Sequence, residues 1–229
     1  MTDMFFAPTN LSKQNLLTEN IDEEKIYVTG NTVIDAFKYT VKKDYVFKEK
    51  GLNSVDYETN RIIAVTAHRR ENLGEPLKNI CRAIKAIVEN HEDVIAVYPV
   101  HLNPAVRNTV FNILGGHDRI MLVNPLDVLD MHNLLSRSCM VMTDSGGLQE
   151  EAPAFGKPVL VLRTETERPE AVEAGTVKVV GVEEKNIINV ANMLLDSVLE
   201  YEKMAHAVNP YGDGHASEWI VTVVLKLNR

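Results

Sequence analysis

The sequence is poor in cysteine. Its 229 residues hold only Cys81 and Cys139, in neither a CxxC pair nor a zinc-type spacing. That excludes a disulfide scaffold. Each lies in an apolar periodic segment, so both read as buried free thiols. With no signal-peptide pattern, this usage points to the cytoplasm. Long apolar runs are missing as well. None approaches the roughly 20 residues that cross a bilayer, which removes the membrane as a partner. Positive charge is in deficit, with 24 Lys and Arg against 32 Asp and Glu, a formal net charge of −8. Nonspecific nucleic-acid binding needs a basic footprint, so nucleic acid is not expected as a partner. An anionic small ligand remains open, because a helix N-terminus holds phosphate locally. There is no internal repeat and no low-complexity tract, and neither disorder nor a coiled coil fits.

What is present is ordinary globular composition, 45% hydrophobic and 24% charged. The length suits one or two domains with ample core. Segments 61–66, 94–98, 120–123, 139–143, 158–162 and 176–180 read as strands. They are apolar along most of their length, as in a sheet covered on both faces. Helical patterns lie between most of them. Leu77, Ile80, Cys81, Ile84, Ile87 and Val88 form a one-sided stripe, and Ile187, Val190, Ala191, Leu194 and Val198 form another. From residue 61 to about 205 the order is strand and helix in alternation, with a loop before the last strand. That predicts an α/β fold with a doubly wound parallel sheet. The first 60 residues offer only strands near 4–7 and 26–29 and helices near 12–19 and 32–43, too little for an independent domain. The expected organisation is a small N-terminal piece over residues 1–47 and a polar linker over 48–60. An α/β domain over 61–208 follows, then a turn and terminal helix over 209–229.

In an open α/β sheet, ligands bind beyond the carboxyl ends of the strands. Four ends carry unusual polar groups: His68-Arg69-Arg70-Glu71-Asn72, then 99–104 with His101, then Asp144-Ser145-Gly146-Gly147, then 163–168 with Arg163 and Arg168. The Asp144–Gly147 turn is the most readable. A buried strand ends, two glycines permit close backbone approach, and a helix begins whose free N–H groups can meet a phosphate. Ser145 adds a hydroxyl. Glu151, one turn beyond Gly147, faces the same mouth, where its carboxylate would accept from ribose hydroxyls. The competing reading is a plain helix cap by Asp144 or Ser145 followed by a solvated acidic face. For His68-Arg69-Arg70, a donor cluster for phosphate or carboxylate competes with a loop salt-bridged to Glu71. His101 is equally readable as a satisfied core histidine. Nothing in the spacing of His68 and His101 supports a metal pair, so no metal and no cofactor is expected.

Five strings occur in order: VTGNTVIDA (28–36), TAHRRENLGEPL (66–77), YPVHLNPAVR (98–107), TDSGGLQEEAPAFGKPVLVLRTETERPEAVEAGT (143–176) and NPYGDGHASE (209–218). Together they resemble the non-hydrolysing bacterial UDP-N-acetylglucosamine 2-epimerases across essentially the whole chain. The resemblance implies Rossmann-like domains facing each other across a cleft, as in B-type glycosyltransferases. It implies interconversion of UDP-GlcNAc and UDP-ManNAc by elimination and re-addition of UDP, supplying surface-polysaccharide precursors. By position, Ser145, Gly146 and Gly147 match the diphosphate site, Glu151 the ribose carboxylate and Arg168 an arginine beside the nucleotide. Met131 falls where the family often has an aromatic near uracil. His68 matches the histidine of the HRREN motif, important for turnover near the phosphates. Arg69 and His101 match positions that touch a second, regulatory UDP-GlcNAc. Against the family pattern, most of an N-terminal domain is expected to be absent. Phe5, Phe6 and Tyr27 would then lie uncovered, inviting homo-oligomerisation or pairing with the missing half. A non-catalytic UDP-sugar binding module is the alternative, and half of a related B-type glycosyltransferase is a third reading.

Overall fold

The structure is a computed structural model that describes residues 2–227; residue 1 and residues 228–229, the ends of two expected segments, lie outside the described residues. Strand β1 (Phe5–Ala7), helix α1 (Asn10–Thr18), strand β2 (Ile26–Val28) and helix α2 (Thr32–Thr40) come first. Then follow β3 (Arg61–Thr66), α3 (Glu75–Asn90), β4 (Val94–Pro99), α4 (Pro104–Leu114), β5 (Ile120–Val123), α5 (Val128–Arg137) and β6 (Met140–Thr143). The chain continues through α6 (Gly146–Glu151), β7 (Val159–Val161), α7 (Pro169–Glu173), β8 (Val177–Val179), α8 (Glu184–Asp196), α9 (Val198–Ala205) and α10 (Ala216–Leu227). The expected loop before the last strand thus holds the short helix α7.

Strands β3 to β8 form one parallel sheet in the order β5-β4-β3-β6-β7-β8. Counted from β3, this is 3-2-1-4-5-6, the order of doubly wound nucleotide-binding sheets. Apolar residues along most of each strand follow from cover on both faces. Ile63, Val65, Met140, Met142 and Leu160 pack with the buried faces of α3, α4 and α8. Ile62, Ala64, Val141, Val159 and Val161 pack on the other side with Leu134, Leu148 and Ala171 of α5, α6 and α7. The α3 stripe is buried as its spacing predicts. The second stripe stops at Leu194, because Ser197 turns extended and caps α9 by accepting from the Glu200 N–H, which leaves Val198 exposed. Cys81 and Cys139 are free thiols. Burial pushes Cys81 up to about 12 and Cys139, which retains some exposure, up to about 11.

Three features of the first 60 residues differ from the sequence expectation. Helix α2 ends at Thr40, not 43. The Asn133 amide takes over the chain there, donating to the Thr40 carbonyl and accepting from the Lys42 N–H. Segment 48–60 is not a free polar linker. Leu52 is fully buried beside Phe47, and the Asp130 carboxylate accepts from the Lys48 and Glu49 N–H groups and from the Tyr45 hydroxyl. Phe5, Phe6 and Tyr27 are half-buried rather than uncovered. Strands β1 and β2 pair in parallel, and Phe6 and Tyr27 meet at 5.9 Å between ring centroids. The exposed apolar groups lie elsewhere, including Trp219, Val221 and Leu225 on α10.

Asp35 ties α2 to the terminal helix by accepting from the Ala216 and Ser217 N–H groups at the start of α10. Burial pushes its carboxyl up, but the bonds from Ser217 and Ala216 and the Lys38 charge outweigh this and hold it below its usual value. Asp35→Ala is expected to cost about 1–2 kcal/mol in urea unfolding at neutral pH. A depressed folded-state pKa stabilises above the unfolded value of about 3.9 and is lost as pH falls through the folded value. The gap between the native protein and the variant should therefore stay level from about pH 5 to 8 and narrow below about pH 4.

Candidate functional site

The switch point of this sheet lies between β3 and β6, where crossovers leave in opposite directions and open a crevice at the carboxyl ends. A buried bond of 2.6 Å joins the Thr66 and Thr143 hydroxyls at those ends. The Thr143 hydroxyl also accepts from the Ser145 N–H at 2.9 Å, setting the turn into α6.

The next residue, Asp144, is fully buried. Its Oδ2 accepts from the backbone N–H of His68 and of Arg69, both at 2.7 Å, and from the Asn72 amide at 3.0 Å. One carboxylate at the end of β6 therefore shapes the loop after β3. Tyr98 on β4 assists, its hydroxyl donating to the Ala67 carbonyl at 2.6 Å. The plain-cap reading of this turn does not hold. Asp144 is committed to the neighbouring loop, and Ser145, at the N-cap of α6, makes no side-chain capping bond. The salt-bridged reading of the His68 loop is also redirected, since Glu71 pairs with Arg163 at 2.7 Å.

Two guanidinium groups converge on the start of α6. A Cβ built on Gly146 would stand 3.6 Å from Arg168 Nη2 and 3.9 Å from Arg69 Nη2. Arg69 is aimed by donating from Nε to the Asp144 carbonyl at 3.2 Å. Arg168 is aimed by donating from Nε to Glu150, whose other oxygen accepts from the Asn31 amide at 2.5 Å. Burial works against the Arg168 charge, but the Glu150 carboxylate outweighs it and raises the guanidinium above its usual value. Glu151 lies where its spacing predicts, its Oε1 being 3.4 Å from a Cβ built on Gly147. Its Oε2 is 3.4 Å from Nε2 of the buried His132, which in turn meets the Thr40 hydroxyl at 2.8 Å.

His68 and His101 are stacked, with ring centroids 5.1 Å apart and planes within 5°. His101 is exposed, not a core residue, and its Nδ1 accepts from the Asn103 N–H. A cavity of about 250 Å³ opens beside the stack, polar along Thr66, His68, His101 and Ser145 and apolar along Leu126, Met131 and Leu148. A second hollow of about 500 Å³ lies along His68, Arg69, Arg70, His101 and Asn103, so the stack is shared by both. Among the described residues, no group of three His, Cys, Asp or Glu side chains is arranged to hold a metal ion. Sequence reasoning brought forward the strand-end clusters, Asn72 among them, but missed the roles of the residues behind: Glu150, His132 and Asn31. The only signal for these was their position next to the motifs that drew attention.

A family model described as UDP-N-acetylglucosamine 2-epimerase matches residues 1–225. The chain is 58% identical over 225 residues to a Thermotoga maritima protein assigned as a UDP-N-acetylglucosamine 2-epimerase, covering 98% of this chain and 59% of that one. It thus spans about three-fifths of the length of the curated relatives it matches. Among solved structures, a complex of S. aureus MnaA with UDP is similar with a TM-score of 0.90 and 49% identity, over 99% of this chain and 61% of that one. The UDP-GlcNAc 2-epimerase of Neisseria meningitidis bound to UDP-GlcNAc is similar with a TM-score of 0.89 and 45% identity, over 98% of this chain and 62% of that one.

Asp144→Ala should strand three N–H donors at once. The expected loss is about 3 kcal/mol in urea unfolding, roughly 1 kcal/mol for each bond. A loss no larger than that of an ordinary surface substitution would show that the loop holds its shape without this carboxylate.

Proposed function

The chain belongs to the UDP-N-acetylglucosamine 2-epimerase family, and on that premise we propose that the crevice between β3 and β6 holds the UDP portion of UDP-GlcNAc. The protein, in this reading, interconverts UDP-GlcNAc and UDP-ManNAc for surface-polysaccharide precursor supply. The observation that carries the proposal is the convergence of Arg69 and Arg168 on the uncapped Gly146 turn beside His68. The backbone amides and hydroxyl of Ser145, Gly146 and Gly147 bind the diphosphate, flanked by the two guanidinium groups. Glu151 accepts from the ribose hydroxyls. Met131 lies against the base with a flexible thioether instead of an aromatic ring, and so contributes packing without stacking.

The chemistry asks for such a grip. The C2 hydrogen of the sugar has no adjacent carbonyl, so removing it is coupled to breaking the C1–O bond to UDP. Re-addition of UDP after protonation from the opposite face inverts C2. UDP must stay bound and oriented while unattached, which a dense set of fixed donors provides. His68 serves the proton transfer near the phosphates. Arg69 and His101 border the second hollow, where a further UDP-GlcNAc molecule binds and regulates turnover. Association with a second copy or with the part of the relatives that this chain does not span, and a cytoplasmic location, belong to the same proposal.

UDP is expected to raise the melting temperature of the chain where sulfate at equal concentration does not, through binding to the folded state alone. Arg168→Ala should weaken UDP binding by about tenfold or more, the value of a charge-assisted bond to phosphate. Equal protection by sulfate and UDP would leave the nucleotide reading without support. Exchange of the C2 proton in heavy water is expected when the 229 residues are joined to the part of a relative that they do not span, and not from them alone.

A further inference from the structure

We propose that Asp144 is the positioning residue for His68, using the one of its two carboxylate oxygens that accepts no hydrogen bond among the described residues. This rests on the reading of His68 as the proton-transferring group at the UDP site. The two oxygens of Asp144 have unlike surroundings. Oδ2 carries the structural duty, accepting from three N–H donors. Oδ1 is equally buried and has no hydrogen-bond partner among the described residues. A bare carboxylate oxygen in the interior is costly, and natural structures seldom leave one without a function.

The group facing it is Nδ1 of His68, at 3.6 Å. That is beyond a hydrogen bond yet within reach of a small rotation of the ring. Arg69 does not compete, because its Nε bonds to the Asp144 main-chain carbonyl. The same carboxylate thus anchors the His68 main chain through Oδ2 and meets its ring through Oδ1. His101, stacked on the ring, limits its tilt.

An ionised carboxylate only accepts, so it selects the tautomer with the proton on Nδ1. Nε2, across the ring, is left for exchange with the ligand. A proton taken up at Nε2 makes an imidazolium whose charge is offset by Asp144. In the elimination the C2 proton passes to a separate base, the C2–H electron pair forms the C1–C2 double bond, and the C1–O pair passes to the phosphate oxygen, which takes the Nε2 proton. His68 returns to the neutral form with Nδ1–H still directed at Asp144. This is the logic of a carboxylate-oriented histidine.

The test combines nitrogen-15 imidazole spectroscopy with UDP titration. In the ligand-free native chain, His68 is expected to be protonated on Nδ1. In Asp144→Asn, where the amide oxygen can keep the three N–H donors and its NH2 faces the ring, the proton should move to Nε2. Asp144→Asn should weaken UDP binding about tenfold, and in a His68→Ala background it should add no more than about twofold, as expected for residues acting through one contact. An Nε2-protonated ring in the native chain overturns the proposal even if the variant does not fold. So do identical tautomers in the native chain and the variant, or fully additive losses in UDP affinity. If the native chain does not bind UDP, the nucleotide reading fails, while the tautomer comparison still decides the Asp144–His68 relation.

Discussion

The Asp144 carboxylate is the constraint on which the rest of the site depends. It ends β6, is excluded from water, and takes its hydrogen bonds from the loop after β3 rather than from the helix that follows it. Strand adjacency makes this feasible. Thr66 pairs with Thr143 in the parallel ladder, so the residues just beyond each strand emerge side by side. A chain-crossing bond at this place turns two flexible loops into one rigid rim. It also frees the first amides of α6, since the residue best suited to cap them is engaged elsewhere.

The parts of the fold visible in the sequence were those governed by continuous apolar burial. The strand at 61–66 and the stripe on α3 follow from period and composition alone. The start of segment 48–60 was illegible because it is fixed by one buried acidic residue eighty positions away. Asp130 collects its N–H groups, and no local pattern announces a side chain that acts at such a distance. The end of α2 is the same case with Asn133. Polar residues at strand ends could be picked out because the doubly wound topology brings those ends to one edge. Which of them would touch depended on strand order, and that is a property of pairing rather than of any window of sequence.

The small N-terminal elements are joined to the site by the packing of Phe37 on His132 and Phe155 and by a set of polar contacts. Asn31 bonds Glu150, Thr40 meets His132, and the Thr9 hydroxyl reaches Glu170 of α7. Glu150 then directs Arg168, and His132 lies against Glu151. Movement of β2 and α2 relative to the sheet would therefore be felt at both ends of the proposed nucleotide site. The coupling runs through carboxylates in α6 that each bridge a donor from the N-terminal elements or α5 and a group at the opening.

That arrangement also bears on how a chain of net charge −8 would present the proposed anion site. The carboxylates nearest the Gly146 turn sit behind it, each engaged by a neighbouring donor: Asp144 by loop N–H groups and Glu150 by Asn31 and Arg168, whereas Glu71, paired with the buried Arg163, borders the second hollow. Their partners include the Arg168 guanidinium that stands over Gly146, and the Asp144 carbonyl aims that of Arg69. Coulomb interactions are screened over about 8–10 Å at physiological ionic strength, so distant surface acids weigh little against donors in contact. At the Gly146 turn the local field is set by which member of the Glu150–Arg168 pair stands over it, and there it is the cation. An acidic protein can thus hold a diphosphate without a basic surface, provided the carboxylates nearest the phosphates are used to position donors toward them.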